Sequence, residues 1–248
     1  MTTQELKNEF LIHYNAIASN SSPGLDDYEI SVYLTKAQLE LIKDYYDPLS
    51  NRKKTGFENT EKRRSDLKGL IKPFKTNVST TNSNGLHSTS KFFTLSTDVF
   101  LIIYEQYQIV STDCNNGRLI KVIPITHDDY NIQVNNPFKN PDDNTVWRLD
   151  ASYDTKKTVV ELISKFNTLS SPYYSGRYLK YPKPIIVGNL NTLFPSDGLT
   201  IDGLSAVTEC ELGEGIHREI LDRSVELALR DYKPQGLEAF IQTNSRNE

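Results

Sequence analysis

A chain of 248 residues is long enough for one large domain or two small ones, and its 28 basic against 32 acidic residues leave a formal net charge of -4. That balance, with a pI near 5.7, supplies no global positive field for phosphate backbones and excludes a whole-surface nucleic-acid binder. Only 37% of the residues are hydrophobic, and 14 Tyr with 10 Phe supply much of the apolar surface, in rings suited to half-wet contacts.

The opening stretch Met1-Thr-Thr-Gln-Glu-Leu-Lys7 lacks the basic start and apolar run of a secretory signal. No window approaches the roughly 20 apolar residues of a membrane helix; even Val99-Phe-Leu-Ile-Ile-Tyr104 stops at Glu105. A soluble chain with no membrane partner is expected. Leu6, Phe10, Tyr14 and Ile17 recur at steps of three and four, which predicts a first helix over 3–18 with one apolar stripe. Asn20-Ser-Ser-Pro-Gly24 signals a turn, after which Asp26 or Asp27 caps a helix carrying Tyr28, Val32, Leu39, Ile42 and Tyr46, stopped by Pro48. A third helix is expected over 58–71, with Lys62, Arg63, Arg64 and Lys68 toward solvent and Leu67, Leu70 and Ile71 inward, ended by Pro73.

From Lys75 to Ser90 the chain is rich in Thr, Ser and Asn and reads as a long loop or open hairpin. Strand texture then follows at Phe93–Leu95, Val99–Ile109, Leu119–Ile123, Thr145–Leu149, Val159–Ile163 and Tyr173–Tyr181, with Asn115-Asn-Gly117 as a hairpin turn. Within this region Thr126 is placed to cap a short helix whose first turn holds Asp128 and Asp129. Pro182 and Pro184 fix an extended exit, and an irregular connection runs from Gly188 to Asp202. A last long helix is expected from Glu214 to Tyr232, then a break at Lys233-Pro-Gln-Gly236 and a short helix with Leu237, Phe240 and Ile241. The pattern predicts an α+β chain: a helical bundle formed by both chain ends (1–74 and 201–248) with an inserted antiparallel β-rich region (75–200).

Reactive chemistry is nearly absent from the sequence. His127-Asp-Asp129 is the best candidate for a metal or acid-base cluster, but consecutive helical positions point to different faces and no second ligand stands at metal spacing. His217 precedes Arg218 and Glu219 in a first helical turn, where a plain imidazole is the expected reading. His13 and His87 have no suggestive neighbours, and Cys114 and Cys210 lack a pairing pattern, so reduced thiols are expected. Gly213-Glu-Gly215 before a helix hints at a phosphate turn without the remaining glycines, and no P-loop, nucleophile elbow or zinc helix occurs. No catalytic, cofactor-binding or metal-binding residue is therefore expected, although groups converging from distant positions leave an unrecognised enzyme open. The basic stretch Arg52-Lys-Lys54 to Lys62-Arg-Arg64 reads either as a solvated helix face and loop or as a nucleic-acid contact.

Four phrases carry a different kind of information. They are Asp26-Asp-Tyr-Glu-Ile-Ser-Val-Tyr-Leu-Thr-Lys-Ala-Gln38, the run from Val122 to Asp150 with Thr126-His-Asp-Asp-Tyr130, Arg177-Tyr-Leu-Lys-Tyr-Pro-Lys-Pro-Ile-Ile186, and Cys210 to Leu229. Jointly and in this order they resemble a structural virion protein of crAss-like tailed bacteriophages, of the kind that builds a ring at the head-to-tail junction. The resemblance implies a ring or adaptor subunit between portal and tail, a homo-oligomer with dodecameric symmetry. Its partners would be the portal, other tail ring proteins and, transiently, packaged DNA. Another virion position (tail hub, head completion or cargo) is the alternative, and a phage enzyme or DNA-binding factor a further one. In a ring, Phe138, Trp147, Arg148 and Tyr178 are the expected contact residues, with Trp147 as plain core the competing reading. Arg63 and Arg64 are the expected DNA-channel pair.

Overall fold

A computed structural model describes residues 1–18, 24–47, 57–78, 85–110, 117–151, 158–165, 172–195 and 198–232. The expected turn at Asn20-Ser-Ser-Pro, Pro48, the Arg52-Lys-Lys54 stretch, Cys114, Asn115-Asn116 and the short C-terminal helix lie outside them. The chain forms two compact units, Met1–Leu70 with Pro182–Glu248, and Ile71–Tyr181.

In the first unit, helix α1 (Thr3–Ala18) buries Leu6, Phe10 and Tyr14. Helix α2 (Asp27–Tyr46) starts on a capping box in which the Asp26 side chain accepts from the Glu29 backbone N–H and the Glu29 carboxylate accepts in turn from the Asp26 backbone N–H. Both helices pack on helix α6 (His217–Tyr232), which follows a 3-10 turn over Glu214–Ile216 and buries Ile220, Leu221, Val225, Ala228 and Leu229. The third expected helix is shorter than its pattern suggested: α3 covers Glu61–Leu67 and tightens into a 3-10 turn, whereas the connection from Gly188 to Asp202, expected to be irregular, holds one helical turn, α5 (Leu190–Leu193).

One feature of α2 runs against simple amphipathicity. Ser31, Thr35 and Gln38 are polar, buried and spaced along one face. They meet the extended segment 183–187: Ser31 Oγ accepts from the Val187 N–H at 3.1 Å, Thr35 Oγ1 from the Ile185 N–H at 3.1 Å, and Gln38 Nε2 donates to the Lys183 carbonyl at 3.2 Å. The helix thereby supplies the hydrogen bonds that a neighbouring strand would otherwise give, and a buried irregular segment keeps its backbone satisfied.

The second unit is a seven-stranded curled sheet of order β1-β7-β3-β4-β5-β6-β2. Its strands are β1 (Ile71–Asn77), β2 (Ser90–Thr94), β3 (Val99–Gln108), β4 (Leu119–Pro124), β5 (Thr145–Asp150), β6 (Val159–Ile163) and β7 (Tyr173–Lys180). The edge strands approach each other where Val78 bridges Phe93. Two expectations are corrected here. Strand β1 occupies a stretch read as a helix end and loop, because Pro73 looked like a terminator; on an edge strand its missing N–H costs no ladder bond. The sheet is also mixed rather than antiparallel, since β4 and β5 run parallel. Their connection carries helix α4 (His127–Gln133), and a parallel pair needs such a crossover in place of a tight turn.

Alternation along the strands sorts the side chains. Phe93, Tyr107, Ile120, Val122, Val146, Val160, Leu162 and Tyr174 form one buried cluster, while Trp147, Leu149 and Ile163 join Tyr130 of α4 in a second on the other face. At Gly176 of β7, opposite the bulged part of β3, any side chain would run into the Tyr104 carbonyl oxygen and the Phe74 ring.

Candidate functional site

Among the described residues no group of three His, Cys, Asp or Glu is placed to hold a metal ion. Thr126 caps α4, accepting from the Asp129 N–H at 3.1 Å, and His127 turns away so that its Nε2 lies 3.1 Å from the Asp150 carbonyl oxygen. The helix-start reading of Thr126-His-Asp-Asp thus describes the geometry. Gly213 and Gly215 are also explained without a phosphate: a Cβ on either would stand 3.1 Å from Asp66, at its Cα and its Oδ1 respectively. The space before α6 is filled by Asp66, whose carboxyl is buried and pushed above the ordinary range by desolvation.

His217, at the start of α6, is buried, with Nε2 3.2 Å from the Leu212 carbonyl oxygen and Nδ1 3.0 Å from the Met1 amino group. Burial lowers its pKa and keeps the imidazole neutral. Because the folded pKa is depressed below the unfolded one near 6.5, the unfolded chain takes up the proton first as pH falls. The contribution of His217 to the stability of the helical unit should therefore be constant above that point and decline below it, until the folded pKa is passed. Thermal melts between neutral and mildly acidic pH should show this decline, and His217→Gln should flatten it; an unchanged slope in the variant would assign the acid sensitivity elsewhere. Cys210, also partly buried, has its thiol pushed up to about 11 by desolvation, which makes it a poor nucleophile.

Among the described residues of the sheet unit, the most exposed large apolar side chains lie near the end of α4 and on its connection to β5. Phe138 is 96% exposed and Ile132 72%. Local hydrogen bonds nevertheless fix this connection: the Asn136 N–H donates to the Gln133 carbonyl at 2.9 Å, the Phe138 N–H to Asn136 Oδ1 at 3.0 Å and the Lys139 N–H to the Asn136 carbonyl at 3.0 Å. Further along, Asp142 Oδ1 accepts from the Thr145 hydroxyl at 2.7 Å and the Asn144 N–H at 2.8 Å, bonds that hold its carboxyl below the usual range. Beside the loop lies a cavity of about 220 Å³ lined by Val134, Asn140, Pro141, Trp147, Ile163 and Lys165, among others. Trp147 itself is only 4% exposed and meets Tyr130 edge-on at 6.2 Å between ring centroids.

The other expected contact residues are held apart from Phe138. Arg148 projects to the opposite face of β5 and pairs with Glu105 of β3 at 3.4 Å, and the Tyr174 hydroxyl donates to the same Glu105 carboxylate at 2.6 Å. Burial raises Glu105 above the ordinary carboxylate range even with Arg148 beside it. For Arg148, burial opposes the charge but Glu105 and Asp150 outweigh it, so the guanidinium is held more firmly protonated. Tyr178 is buried and its hydroxyl donates to Asp98 at 3.0 Å. In the helical unit, Arg63 lies over the Tyr45 ring with its guanidinium 5.0 Å from the centroid, Lys62 pairs with Glu219, and Arg64 is exposed.

Sequence reasoning missed the Glu105 and Tyr174 partners of Arg148 and the role of Ser31, Thr35 and Gln38. The helical polar stripe was a readable signal; the ion pair joins distant strands and left none.

Comparison with known proteins places these features in a lineage. A family model described as phage tail ring protein 3/4 matches residues 1–238. The chain is 36% identical to a ring protein 4/5 of Bacteroides phage crAss001 over 249 aligned positions, covering 100% of both chains. It is also 36% identical to a ring protein 3 of the same phage over 231 positions, 92% of this chain and 95% of that one.

Proposed function

Because the chain belongs to the phage tail ring protein 3/4 family, we propose that it forms a dodecameric ring that connects the portal to the tail at the head-to-tail junction and lines part of the DNA channel. A structural role in a phage tail ring follows from the family; the position, symmetry and channel are the further steps. The observation that carries the reading is likeness over 100% and 92% of the chain to two proteins named as ring proteins. The absence of a metal cluster among the described residues and the long apolar and aromatic strands suit a chain whose surface serves contacts.

In this reading the helices of both chain ends act as one bundle and the curled sheet as an inserted body. Its partners are further copies of itself, the portal and the neighbouring tail rings. Phe138 is assigned to contacts between copies with Trp147 supporting the cavity beside it, while Arg148 and Tyr178 brace the sheet through Glu105 and Asp98. Arg63 and Arg64 are assigned to the channel wall, where ring symmetry would repeat even a modest positive charge around passing DNA.

Electron cryomicroscopy of virions, or of the protein mixed with its portal, tests this directly. A dodecameric ring below the portal with Arg64 toward the lumen is the expected result. Density for the chain inside the capsid, or at another symmetry, would overturn the adaptor assignment in favour of a cargo or hub protein.

A further inference from the structure

We propose that the Phe138 loop is a self-recognition surface through which two copies of this chain pair about a two-fold axis, each seating Phe138 in the Trp147-floored cavity of the other. The inference rests on the assignment of Phe138 to contacts between copies and is independent of where the ring sits.

Three observations carry it. The first is a preformed knob: a phenyl ring 96% exposed on a connection fixed by its own backbone and Asn136 hydrogen bonds, so little ordering is needed on contact. The second is a matching hole. The cavity of about 220 Å³ is walled by Val134, Pro141, Ile163 and Trp147 together with polar residues that include Asn140 and Lys165, and roughly 150 Å³ is already room enough for a benzene ring. With Phe138 exposed to this degree, its ring stands outside the cavity of its own copy. The third is charge. Lys139 follows the knob, while Asp142 and Asp143 are exposed on the same loop just beyond the cavity wall, with Asp143 2.9 Å from Lys165 at the rim.

The symmetry follows from proximity along the chain. Phe138 and the wall residues Asn140 and Pro141 belong to one loop, so seating one copy's knob brings the two loops face to face and the second knob toward the first copy's cavity. The same patch is then used on both sides, with Lys139 facing the acidic pair across the axis, which defines an isologous contact. Head-to-tail ring closure uses two different patches, so this pairing is additional to it.

The chain's single tryptophan lies on the cavity floor and reports occupancy. Sedimentation velocity on the full chain from about 1 to 200 μM, with acrylamide quenching of Trp147, should show concentration-dependent dimers and a parallel fall in quenching. Phe138→Ala should weaken pairing at least about a hundredfold, as expected for loss of two anchors, while its melting temperature stays unchanged. Lys139→Asp should also weaken pairing, and adding Asp143→Lys should restore it; the exposed Asp143 pair with Lys165 contributes little to folding. A wild-type chain monomeric throughout, a Phe138→Ala chain that pairs like wild type, or no restoration by the double reversal would overturn the proposal. Ring-sized oligomers whose pairing is the same in wild type and in Phe138→Ala would overturn it as well while leaving the ring reading intact, since ring closure uses other patches.

Discussion

Replacing Arg148 with methionine is expected to destabilise the sheet unit by about 3–5 kcal/mol at neutral pH, the range found when one partner of a buried ion pair is removed. The loss arises less from the missing attraction than from the group left behind. Glu105 leaves only 11% of its side chain exposed, accepts from the Tyr174 hydroxyl at 2.6 Å and has Arg148 as its cationic partner at 3.4 Å. Without that partner, its pKa, already raised by burial, rises further. A carboxyl with a raised folded pKa favours the folded state below its unfolded pKa near 4.5, and that advantage is lost as pH rises through the folded value. The variant should therefore lie closest to wild type in mild acid and fall away toward neutrality. Urea titrations followed by Trp147 emission at several pH values measure this, and Glu105→Gln in the same chain should recover part of the loss. A variant equally destabilised at every pH would show that lost packing of the Arg148 stem, not a stranded carboxylate, sets the cost.

Trp147→Ala should cost about as much, roughly 3–5 kcal/mol, for a different reason. The indole is 4% exposed, contacts Tyr130 of α4 and floors the cavity beside it, so truncation removes buried area and enlarges a void. Helix α4 has only seven residues and cannot hold itself; its anchorage on Trp147, Leu149 and Ile163 does so. Hydrogen exchange should consequently show amides of α4 and the following loop opening in the variant, alongside a lower melting temperature by circular dichroism. Phe138→Ala, in the same region but on the outside, should stay within about 0.5 kcal/mol of wild type. Equal effects of the two substitutions would contradict the burial contrast between them. The pair also separates the competing readings of Trp147: its own role is core, and any part in contacts between copies is as the floor beneath Phe138.

Where the sequence carried local chemistry, its reading holds at residue level. Asp26 and Thr126 cap helices because a short acceptor side chain at a helix start has partners within three residues. Strand β6 covers Val159–Ile163 as its β-branched run predicted. The errors occur where a local signal met a distant partner. Pro73 is a helix terminator by local rules and an acceptable edge-strand residue once β7 pairs with it on one side. Arg148, Tyr178 and Trp147 look alike as large side chains on strands, yet one meets a carboxylate from β3, one meets Asp98 and one lies under α4.

By itself, then, the sequence determined the three long helices, the caps at Asp26 and Thr126, most of the strands, the lack of a recognisable reactive motif and, through four ordered phrases, the phage ring lineage. These depend on neighbours along the chain or on wording inherited as a whole. Tertiary structure alone decided that β4 and β5 run parallel, that Ser31, Thr35 and Gln38 serve an extended segment, and which aromatic remains outside. Each of those outcomes depends on which remote backbone or side chain arrives opposite a given residue, and such pairings leave no period in the sequence.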